Sequence, residues 1–175
     1  MRPLGVILCV GLVACAGSTP PTSATPRAVV DVQLPRLGGG ALSLAALRGH
    51  PVVVFMFTTW SLRAQVEAPR VAQLADRYRT AGLRVVGIAL DRSAHALIET
   101  YVRFVGINFD VGLAEPNDLE LIAAFGPTRQ VPRTVLLDRA GRVAQDHPEG
   151  QTDFRRLDAA LRRLLGSPRP APDND

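Results

Sequence analysis

Trp60-Ser61-Leu62-Arg63-Ala64 stands where an apolar, β-branched run gives way to helical spacing, and Ser61 is the side chain there best placed for chemistry. A serine at such an elbow has three uses. Its oxygen can accept a hydrogen bond from a first-turn backbone N–H and cap the helix. Activated by a base such as histidine, it can be a nucleophile. With Arg63 it can hold an anion at the helix N-terminus. The dipole contributes at most about 2 kcal/mol, one or two pKa units, so it cannot ionise a hydroxyl alone. His50, His95 and His147 are the candidate bases, in turns or at a helix start, and no spacing ties any of them to Ser61. The capping role needs none of them. Ala64, a good helix former, fits the same reading.

Sulfur chemistry is bounded by counting. The chain of 175 residues has two cysteines, Cys9 and Cys15, both within its first fifteen positions. That segment has Arg2 and then an apolar run from Leu4 to Ala14, too short to span a bilayer, and it reads as a secretory signal. Leu12-Val13-Ala14-Cys15 resembles the lipobox of bacterial lipoproteins, which implies that Cys15 becomes the acylated first residue and Cys9 is discarded. The alternative is ordinary cleavage after Ala14 or Ala16. On the lipoprotein reading the mature chain has no free thiol. Ala16, in place of an aspartate, favours outer-membrane sorting in a Gram-negative host.

The expected organisation is a signal peptide over 1–14, a lipid-anchored flexible linker over 15–28, one domain over 29–166 and a disordered tail over 167–175. All 20 basic side chains are arginines, and the net charge is +4. Arg63, Arg70, Arg77 and Arg79, like Arg155, Arg156, Arg162 and Arg163, recur along helical segments as solvated faces. No nucleic-acid motif accompanies them, so no nucleic-acid partner is expected. No His/Asp/Glu spacing suggests a metal and no glycine-rich loop suggests a phosphate, so no metal and no cofactor are expected.

The elements that must position Ser61 follow from periodicity. Strands are expected over Val29–Leu34 and Ala41–Leu44, separated by Gly38-Gly39-Gly40. Pro51–Thr58 and Leu83–Leu90 are continuously apolar, as for strands buried on both faces. Between them Ser61–Thr80 has helical spacing, with Val66, Val71, Leu74, Ala75 and Tyr78 inward and Gly82 at its end. Asp91 and Ser93 are placed to cap a helix from about Ala94 to Val105, and Asn117 or Asp118 to start a short one ending by Gly126. Thr134–Asp138 and Arg142–Gln145 flank a hairpin turn, and Thr152 or Asp153 caps a last helix to about Leu165. This order predicts an α/β fold with a mixed sheet.

The stretch from Pro51 to Asp91, with Glu67 and Pro69, together with Ala123–Gly126 and Val131–Arg142, resembles the thioredoxin-like TlpA/ResA family, grouped with the AhpC/TSA redoxins. The resemblance implies a thioredoxin-like fold, a central mixed β-sheet flanked by helices. It also implies a Trp-Cys-x-x-Cys motif at the elbow, whose first thiolate attacks and whose second thiol resolves. Ser61 and Ala64 occupy those two positions, so thiol–disulfide and peroxidatic chemistry both lose their sulfur. Trp60, Ser61, Val131 and Pro132 match the walls of the family's peptide groove, and a cis bond before Pro132 is implied with it. Three functions are open. One is a redox-inactive, envelope-anchored module that binds a protein or peptide. Another is a participant in thiol–disulfide or antioxidant pathways that works with a partner's cysteines. The last is a thiol-independent enzyme using the helix N-terminus near Ser61.

Overall fold

The computed structural model describes residues 29–166, apart from positions 93, 116 and 149. The expected signal, linker, tail and lipidated Cys15 lie outside the described residues, as does Ser93. No described helix is long and apolar enough to cross a membrane.

Val52–Phe57 forms β3, and all six residues are buried because neighbours cover both faces and both edges. Side chains alternate across a strand, so its residues feed two cores. Val53, Phe55 and Phe57 face one side, with Ala68, Val71 and Tyr78 of α1 (Leu62–Tyr78) and Leu157 and Leu161 of α4 (Phe154–Leu165). Val52, Val54 and Met56 face the other, with Leu34 of β1 (Gln33–Pro35), Leu42 of β2 (Ala41–Ser43), and Leu121 and Phe125 of α3 (Leu119–Phe125). On the first side the rings of Phe55, Phe57 and Tyr101 stack, at centroid spacings of 5.6 and 5.4 Å.

The five-stranded sheet has the order β5-β4-β3-β6-β7, completed by β4 (Arg84–Ala89), β5 (Asp110–Leu113), β6 (Arg133–Leu137) and β7 (Val143–His147). α1 and α2 (His95–Val105) are the crossovers that make β3, β4 and β5 parallel. β6 and β7 are antiparallel to their neighbours. This is the mixed-sheet α/β architecture expected.

Three details differ from expectation. Asp110–Leu113 forms an edge strand with no strand signal of its own, paired to the free edge of β4. The β1–β2 hairpin packs over it at Gly112, where a Cβ would lie 3.0 Å from Leu34 and Leu42 side-chain carbons. The strand expected at Val29 contracts to a single bridge, Val29 to Arg142, ahead of β1. Asp91 does not cap α2; its carboxylate accepts the backbone N–H of Thr59 at 2.7 Å, and Ala94 precedes that helix with no side-chain cap. Asp118 and Asp153 do cap α3 and α4.

Candidate functional site

β3 runs antiparallel to β6, with Met56 opposite Arg133, so the elbow leaving β3 and the loop entering β6 share one end of the sheet. Ser61 and Val131, 70 residues apart, meet there: the Ser61 hydroxyl donates to the Val131 carbonyl at 3.5 Å. The same oxygen accepts the Ala64 N–H at 3.3 Å, so Ser61 is the N-cap of α1. Val131-Pro132 is cis, as the resemblance implied. Ala64 is fully buried and Ser61 nearly so.

Among the described residues the hydroxyl's two partners are backbone groups, and no histidine is among them. His50 Nδ1 lies 3.1 Å from the Gly82 carbonyl, near the far end of α1, and His95 is exposed at the start of α2. His147 corrects the expectation of a turn. It is a buried residue of β7 whose Nδ1 accepts the Asp153 N–H at 3.3 Å. The nucleophilic reading of Ser61 therefore has no base in contact. For the anion reading, the Ala64 amide of the first turn is already taken by Ser61's own oxygen. No group of three or more metal-ligating side chains occurs among the described residues.

Glu67 is buried and both its carboxylate oxygens lie within reach of the Thr152 N–H, at 3.3 and 3.2 Å. In the fold Glu67 ties the Thr152 backbone to α1. The Thr152 hydroxyl shares a 2.6 Å hydrogen bond with that of Thr134, and Arg63 donates to Gln151 at 2.9 Å. A Cβ on Gly150 would lie 3.2–3.5 Å from Gln130 and from the Val131 carbonyl, so this loop abuts the cis-proline loop.

Trp60, Leu62 and Val66 are 71, 77 and 68% exposed. Val66 corrects the expectation that it points inward. The buried face of α1 runs through Ala64, Ala68, Val71 and Tyr78, and Val66 stands one turn beyond Leu62 on the solvent side. Nearby, burial and then the charge of Asp91 push the Tyr101 phenol up to about 12, so it stays neutral.

Against this geometry, the model of the AhpC/TSA family matches residues 26–148. The chain belongs to the AhpC/TSA family. Among curated relatives of this AhpC/TSA protein, the thiol-disulfide oxidoreductase ResA of Bacillus anthracis is 23% identical over 128 residues, covering 73% of this chain and 71% of that one. A thioredoxin-family thiol:disulfide interchange protein from Chlorobium tepidum superposes with TM-score 0.69 at 26% identity, covering 82% of this chain and 99% of the other. A secreted thiol-disulfide isomerase from Corynebacterium glutamicum superposes with TM-score 0.70 at 21% identity, over 78% and 84% of the two chains. The fold of this AhpC/TSA protein is thioredoxin-like, and its elbow carries Ser61 and Ala64.

His147 gives the domain a pH dependence. Burial holds its imidazole below the usual value, and the Arg156 charge adds to this against smaller pulls from Asp153 and Asp146. A folded pKa below the unfolded one, about 6.5, means the neutral form is favoured by folding. The associated stability is complete above pH 6.5 and is lost as pH falls from there toward the folded pKa, at up to about 1.4 kcal/mol per unit. Urea unfolding of wild type and His147→Gln between pH 8 and 5 should show this one-proton slope only in wild type. Equal slopes would assign the dependence elsewhere.

Proposed function

We propose that this chain is a redox-silent AhpC/TSA-family protein that holds an extended polypeptide across Trp60, Ser61, Val131 and Pro132, exported and anchored at the cell envelope by a lipid on Cys15. One observation carries the reading. The elbow and cis-proline loop are joined through Ser61 and Val131 beside an exposed Trp60, while the two positions for sulfur hold a capping hydroxyl and a buried methyl. The groove is built and its usual reaction is not. A segment laid there can pair with the backbone beside the cis proline, as in strand addition.

A second reading is supported by the relatives' names, which describe thiol–disulfide oxidoreductases. In it this protein holds a substrate while a partner's cysteines exchange. Both readings predict that the purified domain fails to reduce insulin; turnover by the wild-type chain would end both.

They are tested in the native envelope with a photocrosslinker replacing the exposed Leu62. Crosslinks to one polypeptide should be lost in Trp60→Ala. They should persist in Ser61→Ala, whose cost is that of an N-cap, about 1 kcal/mol. If Ser61→Ala abolishes capture at unchanged folding, the hydroxyl itself is the functional group and the groove reading fails.

A further inference from the structure

The charges around the groove are unevenly satisfied. Arg133 is held by Asp146, Arg92 pairs with Glu115, Arg63 donates to Gln151, and Glu67 is buried against the Thr152 backbone. Arg129, two residues before Val131, is exposed and has no hydrogen bond or ion pair with any described residue. It lines a cleft of about 220 Å³ with Pro127, Gln130, Arg133 and Pro148. Arg129 therefore shares this cleft with two prolines next to the cis-proline loop, and Trp60, Leu62 and Val66 are exposed at and after the elbow.

We propose that the polypeptide held here is acidic where it passes Arg129 and apolar where it passes Trp60, Leu62 and Val66. The inference rests on the groove reading and gives the partner's chemistry. A planar guanidinium with no partner of its own is a fork for a carboxylate. Complementary charge at an interface rim mainly fixes register and rejects wrong partners, which suits a groove where backbone pairing alone carries no sequence information. Exposed Trp and aliphatic side chains gain from being covered by apolar residues of the partner at the other end.

The test uses the exported domain and two fluorescein-labelled twelve-residue peptides. Both carry alternating valine and leucine followed by a polar stretch, which holds Asp in one peptide and Lys in the other. Wild type should bind the Asp peptide about tenfold tighter than the Lys peptide by fluorescence anisotropy, with the ratio shrinking in 0.5 M salt. Arg129→Glu should invert the ratio, and Trp60→Ala should weaken both peptides. Equal affinities in wild type, together with loss of both in Trp60→Ala, would leave the groove and overturn its acidic preference. Binding of neither peptide, with Trp60-dependent binding to phosphatidylglycerol vesicles instead, would overturn both, because the exposed patch would then be a lipid contact. Arg129 and Trp60 are surface residues, so these variants are expected to fold.

Discussion

Replacing Ser61 and Ala64 together by cysteine is expected to give a chain that forms a reducible disulfide and reduces insulin, the turnover that the proposed function denies to wild type. Ser61 is the N-cap and Ala64 the third residue of α1, and the Ser61 oxygen already reaches the Ala64 amide at 3.3 Å. Side chains three apart on a helical turn lie about 5–6 Å apart at Cβ, while a disulfide brings its Cβ atoms to about 3.8 Å, so a small torsional adjustment closes the bond. The first position is nearly buried at a helix N-terminus, the setting in which thiol pKa values fall. Lowering one from about 8.5 to about 7 raises the thiolate share at pH 7 from about 3% to about half. Ser61→Cys alone should alkylate quickly with iodoacetamide and stall as a mixed disulfide, because Ala64 supplies no resolving thiol. Ala64→Cys alone adds a sulfur to a fully buried site and should cost about 1–3 kcal/mol by overpacking. A folded double variant whose thiols stay free under oxidising conditions would show that the elbow is not held in the geometry described.

Much of this site was legible because local chemistry dictates it. A serine between a buried apolar strand and a helical run is a capping residue, and Ser61 caps. What the sequence could not show depends on partners distant along the chain. Nothing around Asp110–Leu113 advertises a strand; it becomes one because β4 offers an unpaired edge and the β1–β2 hairpin covers Gly112. Asp91 looks like a helix cap by position, but the Thr59 amide, 32 residues away, claims its carboxylate. Val66 satisfies a broad inward stripe, yet small residues at Ala64, Ala68 and Ala72 bring α1 close along a narrower seam and leave Val66 outside it. His147 follows a run of polar residues and reads as a turn until α4 closes over β7. Glu67 is the hardest case, since a carboxylate on a helix is exposed by default and only the approach of Thr152 makes burial tolerable.

Arg133→Ala should be the most destabilising single change at this end of the sheet, costing about 3 kcal/mol and lowering Tm by about 10 °C. Arg133 follows Pro132, and its side chain is 6% exposed. Its guanidinium grips Asp146 through Nε and Nη2 at 3.0 and 2.7 Å, and donates to the Phe125 carbonyl at 2.6 Å. Weaker contacts reach the Gly126 carbonyl and the Thr128 hydroxyl at 3.4 and 3.3 Å. One side chain thus ties β7, the end of α3 and the loop leading to the cis proline. Removing it strands a carboxylate and a buried carbonyl, which costs more than the pair itself was worth. Asp146 is 33% exposed and can recover some hydration, which places the loss at the lower end of the range for broken buried pairs. Lysine cannot reproduce the fork, so Arg133→Lys should recover less than half of the loss. Replacing both partners, Arg133→Met with Asp146→Leu, should be better tolerated than Arg133→Ala because no charge is left behind. Crosslinking from Leu62 separates stability from function. In the double replacement the fold should survive while the cis-proline loop loses its tether, and capture should fall although Trp60 and Ser61 are unchanged. Full capture at that variant would mean that loop 125–132 is held by its own backbone, and that Arg133 serves stability alone.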